Sequence, residues 1–305
     1  MVIASPIDVH WTGRVRSIAA CLLEADGQAV LLDPGPTSSL ETLRAKLAKR
    51  GMTFGSLSAV LLTHIHLDHA GAVGSIVHEN PRLPVFVHER GAPHMADPSK
   101  LLASAGRLYG NLLQSLYGDV RPVPQENLRV LQGGEKVPVG RQSLEVVYTP
   151  GHASHHVSYF DAEGTAYVGD TAGIRIQGDA YLIPATPPPD VDVPLWNASL
   201  HAIAERKPAR LFLTHFGFCD EPAEHIAAYR ECLHRWTSLA GELIRKHGED
   251  DAAASKAFVA TIAKEIRSAL PSREAEHYLF NGALELSWRG LARYWRKSRE
   301  AAATA

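Results

Sequence analysis

Thr63-His64-Ile65-His66-Leu67-Asp68-His69 follows directly on the apolar run Leu57-Ser58-Ala59-Val60-Leu61-Leu62. A short run of that kind reads as a buried strand, so the histidines begin where the strand ends. Side chains alternate along extended chain with period two, which puts His64 and His66 on one side. A helix beginning at Asp68 would turn Asp68 and His69 back across the strand end, so one short loop offers two groups of donors. By chance a His-x-His-x-Asp-His string arises in roughly one protein in 500 of this composition. Imidazole and carboxylate suit zinc and related divalent ions.

Three later segments repeat the arrangement of apolar run followed by a donor. His152 stands in Thr149-Pro150-Gly151-His152, Asp170 in Val168-Gly169-Asp170-Thr171, and His215 in Leu211-Phe212-Leu213-Thr214-His215. Each falls where a loop at the rim of a sheet would place it, which makes seven donors in four segments.

Around these, strands are expected at 15–24 and 29–33, joined at Asp26-Gly27 as a hairpin, and at 84–88, 144–149, 155–160, 165–169 and 210–214. They alternate with helices at 40–50, 70–78, 99–117 and 195–206, the pattern of a layered α/β body. From Glu221 the texture changes. Ile226, Tyr229, Leu233, Trp236, Ala240 and Leu243 recur at helical spacing; Phe258, Ile262, Ile266 and Leu270 mark a second helix, and 274–302 a third. The expected division is a catalytic domain over 1–220 and a helical extension over 221–305.

Composition narrows the function classes. The 305 residues carry 31 Lys+Arg against 33 Asp+Glu, a formal charge of -2, so no global basic field draws the chain to nucleic acid. Three cysteines are too few for a disulfide framework and fit a reducing cytoplasm. The N-terminus lacks the basic-then-apolar pattern of a signal peptide, and no run approaches the roughly 20 apolar residues of a membrane span.

The order of motifs resembles the metallo-β-lactamase-fold hydrolase superfamily over residues 15–220. The resemblance implies a four-layer αββα sandwich, an α+β fold whose metals bind at one edge of two facing sheets. It assigns His64, His66 and His152 to one metal and Asp68, His69 and His215 to a second, with Asp170 bridging. Asp33 corresponds to an early aspartate that supports the ligand histidines from behind. Asp170, in Gly-Asp-Thr, is similar to the glyoxalase II, lactonase and phosphodiesterase branches; true β-lactamases place Cys or Ser near there. Two divalent ions, with zinc the default and iron or manganese accepted by the same donors, imply a bridging hydroxide as nucleophile, with Asp68 and Asp170 as the catalytic carboxylates. The expected reaction is hydrolysis of a small ester, thioester or lactone. Alternatives are a phosphodiesterase or nuclease of the same fold, and a metal-retaining scaffold without turnover.

Other residues draw weaker readings. His155 and His156 behind His152 are expected to be packing or surface residues, His94 a loop residue near the pocket, and Cys219 a small buried side chain. The helix at 99–117 is apolar over much of its circumference and must be covered by the body, by substrate or by a second subunit, so a homodimer is open. Tyr109, Tyr181, Arg175 and Phe216 are the expected substrate contacts.

Overall fold

A computed structural model describes residues 1–176, 181–248 and 250–304, the side chains only as far as 300. Two six-stranded sheets face each other. The first holds, in order across the sheet, β1 (Ile3–Asp8), β2 (Ala19–Ala25), β3 (Gln28–Leu32), β4 (Ala59–Leu61), β5 (Val85–His88) and β6 (Leu128–Leu131). The second runs from β7 (Lys136–Val139) through β8 (Gln142–Tyr148), β9 (Val157–Phe160), β10 (Thr165–Gly169) and β11 (Arg210–Leu213) to β12 (Gly217–Cys219). Strands β3 to β6 are mutually parallel, as are β10 and β11; the other pairs are antiparallel.

Both sheets are covered on both faces, which is why their central strands read as unbroken apolar runs. Cys21, Leu23, Val30, Leu32, Leu61, Tyr167 and Phe212 form the layer between the sheets. Their neighbours Leu22, Leu31, Val60 and Leu62 point the other way, onto α1 (Leu40–Ala48), the short α2 (Leu67–Ala70) and α3 (Val73–Glu79). That outer layer continues through α4 (Ala92–Ala96), α5 (Ser99–Tyr109) and α6 (Leu113–Tyr117). Behind the second sheet, Val168, Leu211 and Leu213 share one core with α7 (Val193–Glu205), α8 (Pro222–His247), α9 (Asp251–Ala269), α10 (Ser272–Gly282) and α11 (Leu284–Thr304). The layers are helix, sheet, sheet, helix, and the C-terminal helices supply much of the last one. No helix among the described residues is long and apolar enough to cross a membrane.

Several expectations need correction. Strands β1, β6, β7 and β12 lie outside the sequence reading, and they are the four sheet edges. Edge strands need no two-sided apolar pattern and tolerate proline; Pro6 and Pro138 sit within two of them. The single helix expected over 99–117 breaks at Gly110, whose φ of 53° is left-handed. That expected over 274–302 breaks at Ala283, φ 40°. The Asp26-Gly27 turn is as expected: both residues have positive φ, 51° and 78°, in a two-residue hairpin.

Candidate active site

Every expected donor leaves the C-terminal end of a strand on the same rim. His64 and His66 follow β4, Asp68 and His69 ride on α2, His152 follows β8, Asp170 follows β10 and His215 follows β11. Loops positioned by a rigid scaffold are the usual place for such groups. Two glycines let these loops close up. A Cβ on Gly151 would lie 2.3 Å from Trp196 Cα, and one on Gly169 would lie 2.5 Å from Thr63 Oγ1. Both have positive φ, and each directly precedes a donor.

The seven donors form two adjoining clusters. In one, His152 Nε2 lies 2.9 Å from His66 Nδ1 and 3.2 Å from His64 Nε2, and those two nitrogens are 3.0 Å apart. In the other, Asp68 Oδ2 lies 3.4 Å from His215 Nε2 and 3.9 Å from His69 Nε2. Asp170 stands between them. Its Oδ2 is 3.5 Å from His152 Nε2 and 4.0 Å from His64 Nε2, while its Oδ1 is 3.2 Å from His69 Nε2 and 3.6 Å from His215 Nε2.

The groups behind the ligands decide which nitrogen faces inward. His69 Nδ1 donates to Asp33 Oδ2 at 2.8 Å, His215 Nδ1 to the Ser17 carbonyl at 2.6 Å and His152 Nδ1 to the Ala185 carbonyl at 2.8 Å. The Thr63 hydroxyl donates to Asp33 Oδ2 at 2.6 Å, so its lone pair receives His64 Nδ1–H at 3.0 Å. Each of these four imidazoles therefore keeps a proton on Nδ1 and turns its Nε2 inward. Asp33, fully buried, also accepts Thr63 N at 2.8 Å and the Thr214 hydroxyl at 3.0 Å. One carboxylate thus ties together the ends of β4 and β11, one from each sheet.

Electrostatics sharpen the picture. Burial, aided by the neighbouring imidazoles, holds His64 well below the usual histidine range and His66 at about 4, so both keep free lone pairs. Burial also pulls His69 down, but Asp170, Asp33 and Asp68 together carry it well above the ordinary value. Burial pushes the Asp68 carboxyl up, yet His69 and His215 outweigh it and hold it at about 2. Without a cation the pocket captures a proton at His69; His69 Nε2 and Asp170 Oδ1 are buried with no hydrogen-bond partner. Three imidazole nitrogens within 3.2 Å of one another and two orphaned atoms aimed at one space suit divalent cations in both clusters.

Beside the clusters opens a cavity of about 490 Å³. His66, Asp68, Asp170 and His215 form its floor. Its walls come from Trp11, from α4–α6, from the loop Pro187-Pro188-Pro189 and from residues 280–287. The apolar side chains of 99–117 serve both purposes: Ala105 and Tyr117 are buried in the body core, and with Leu101, Leu108 and Leu116 they also line the cavity.

Of the four expected substrate contacts, Tyr109 lines this cavity and the other three do not. Tyr181 packs edge-on against Tyr278, with ring centroids 5.4 Å apart. Arg175 and Phe216 line a separate small depression with Cys219, and Arg175 Nη1 lies 2.7 Å from Cys219 Sγ. The Arg175 backbone still serves the site, because it clamps the His215 segment through Arg175 N to His215 O (2.6 Å) and Phe216 N to Arg175 O (3.0 Å). His94 and His155 line the cavity. His156 is fully buried beneath His64, which fits the packing arm of its expectation, and it also accepts the Asp170 N–H at 3.3 Å.

Sequence reasoning missed Thr63 and Thr214, although a signal exists. Leu62-Thr63-His64 and Leu213-Thr214-His215 are the same tripeptide at the ends of two strands, and both hydroxyls converge on Asp33 Oδ2. Trp11 and Phe280 carried no local signal.

The model of the metallo-beta-lactamase superfamily matches residues 13–215, and the chain belongs to that superfamily. It is 29% identical over 203 residues to the metallo-beta-lactamase fold-containing protein ST1585 of Sulfurisphaera tokodaii, spanning 63% of this chain and 76% of that one. It is 32% identical over 160 residues to the probable metallo-hydrolase YqgX of Bacillus subtilis, 52% of this chain and 64% of the relative. With a hydroxyacylglutathione hydrolase of Aeromonas hydrophila the identity is 27% over 222 residues, 68% of each chain. The crystal structure of the Thermus thermophilus family protein TTHA1429 superposes with a TM-score of 0.67 at 21% identity, covering 97% of this chain and 93% of that one. The αββα architecture is therefore shared along nearly the whole length, C-terminal helices included.

Proposed function

We propose that the protein is a dinuclear metal-dependent hydrolase of a small carboxylic ester, thioester or lactone. His64, His66 and His152 would hold one divalent cation and Asp68, His69 and His215 the other, with Asp170 shared; zinc is the first candidate for this donor set. The observation that carries the reading is the split of Asp170, one oxygen toward each cluster, with Oδ1 buried and unpartnered. Bound there, two such ions supply Lewis acidity and lower the pKa of water.

The chain's own groups do the rest. Asp33, Ser17, Ala185 and Thr63 fix four imidazoles in orientation, so the donors need no rearrangement during turnover. Asp68 is one-fifth exposed on the cavity floor. Held at about 2, it stays ionised, which suits it to accept a hydrogen bond from an attacking water and orient it. The largely apolar walls exclude water from the reacting acyl group.

Elemental analysis of the purified protein, followed by a substrate panel at fixed metal content, tests the reading. About two metal equivalents per chain with turnover of an ester, thioester or lactone support it. Turnover confined to phosphodiesters transfers the site to the nuclease-like alternative. Full metal content with no turnover on any substrate leaves a binding scaffold.

A further inference from the structure

The cavity lining mixes two chemistries. Trp11, Leu108, Leu116, Phe280 and Leu286 present apolar surface. They come from the N-terminal turn, from α5–α6 and from the C-terminal helices, and Trp11 packs against Phe280 with centroids 5.4 Å apart and the rings tilted by 53°. The β5–α4 turn and the start of α5 add Arg90 and Lys100 to the same lining. Both are exposed, and neither enters a salt bridge among the described residues.

Charge decides what such a cavity takes. The lining holds three carboxylates, Asp68, Asp170 and Asp190, against the two fixed cations Arg90 and Lys100. Asp190 is already engaged by the Ser154 hydroxyl at 2.5 Å and the Ser154 N–H at 3.2 Å. Two divalent cations in the donor clusters reverse the balance and leave the cavity strongly positive, a field that draws anionic ligands and repels cationic ones.

We propose that the substrate is bipartite: an apolar acyl group lies against Trp11, Phe280 and Leu286, and the leaving group bears a carboxylate or phosphate met by Arg90 and Lys100. This rests on the hydrolase reading and names its substrate class. The reaction is plain hydrolysis. Water adds to the acyl carbon, the carbon–sulfur or carbon–oxygen bond breaks, and the anionic thiol or alcohol leaves with the proton.

The metal-replete protein is given two thioesters with the same octanoyl chain, one on coenzyme A and one on the uncharged N-acetylcysteamine. The coenzyme A ester is expected to have a kcat/KM at least about tenfold higher at low ionic strength, with the ratio falling as salt is raised. In Arg90→Glu/Lys100→Glu the ratio collapses toward one, while Arg90→Lys/Lys100→Arg retains most of it, and metal content is checked in each. Acetyl esters give the same charge ratio but lower rates. Equal rates on both leaving groups, or a ratio untouched by charge reversal, overturn the proposal. Binding of the uncleavable thioether S-octyl coenzyme A separates the two readings by calorimetry. Tight binding that is lost on charge reversal, with no turnover of any ester, keeps the subsites and sinks the hydrolase. Turnover without charge preference does the opposite.

Discussion

The floor of the cavity is assembled from loops that each begin at the end of a buried strand, whereas its walls come from helices and turns scattered from residue 11 to residue 287. Four of the imidazoles at the floor, His64, His69, His152 and His215, are fixed twice, once by the segment that delivers them and again by a hydrogen bond on Nδ1. Wall side chains are held mostly by packing, with isolated hydrogen bonds such as Trp11 Nε1 to the Leu116 carbonyl, and several remain partly exposed. A floor of that kind serves one chemistry. A wall of that kind can change without disturbing the donor clusters, so reaction and specificity should come apart under mutation.

The largest effect is expected at the shared carboxylate. Asp170→Asn removes a negative charge from between two cation sites, and Oδ1 has no alternative partner. Metal content should fall from about two equivalents per chain, and turnover by on the order of 10³ or more, the scale for losing a pre-organised charge. Retention of both metals and full rate would break the assignment of the floor.

One step back, Asp33→Asn keeps the shape but gives up the charge that receives the His69 N–H and the two threonine hydroxyls. A loss of roughly 10–100-fold in metal affinity is expected by competitive chelation, with the substrate preference unaltered. A change in preference at constant affinity would mean that floor and walls are not independent.

The metal-free floor should also show itself in stability against pH. His64, His66, His152, His155 and His156 are depressed in the folded state, chiefly by burial. Below the ordinary histidine value near 6.5 the unfolded chain therefore takes up protons that the folded chain refuses, and stability falls toward acid. His69 and His215 are raised because their carboxylate neighbours outweigh burial. Their contribution is fully present below the unfolded value and is lost as pH rises through the folded values. Chelator-treated protein should thus melt at its highest temperature near pH 6.5 and lower on either side. Metal-loaded protein should hold its melting temperature toward alkali, where a cation replaces the His69 proton. Identical profiles for the two forms would contradict the clusters as metal sites.

Walls should respond on a smaller scale. Phe280→Ala opens the cavity and removes the partner of Trp11 and Arg14. About a tenfold loss in kcat/KM is expected for long acyl chains and little for acetyl, with metal content unchanged.

The same contrast explains what could be read from the chain. His64 to His69 follow a strand in unbroken sequence, and His152, Asp170 and His215 each close an apolar run, so the pattern offers these seven as candidate donors and the family resemblance divides them into two groups. The central strands were legible because both their faces are buried; the four edge strands, with Pro6, Pro138 and the exposed Val130, carry no such pattern. The walls were mostly illegible. Trp11 and Phe280 meet only after the whole chain has folded, since the C-terminal helices pack on one sheet and reach the N-terminal turn of the other. The helix at 99–117 gave its apolar character but not its break at Gly110, because tertiary packing chooses which of its faces turns to the cavity.

Tyr181 isolates that last failure in one residue. On the sequence alone it is expected to touch substrate. Its ring instead packs edge-on against Tyr278, and its carbonyl, which any residue would supply, accepts the Tyr278 hydroxyl at 2.6 Å. Tyr181→Phe keeps both contacts and changes no atom of the cavity lining. Its kcat/KM should stay within about twofold of the parent on every acyl chain, as expected for a change worth no more than about 0.5 kcal/mol. Tyr109→Phe, a change of the same single oxygen atom, alters the lining itself and should move the chain-length preference. If Tyr181→Phe moved it instead while leaving the melting temperature alone, the boundary between wall and packing core drawn here would lie in the wrong place.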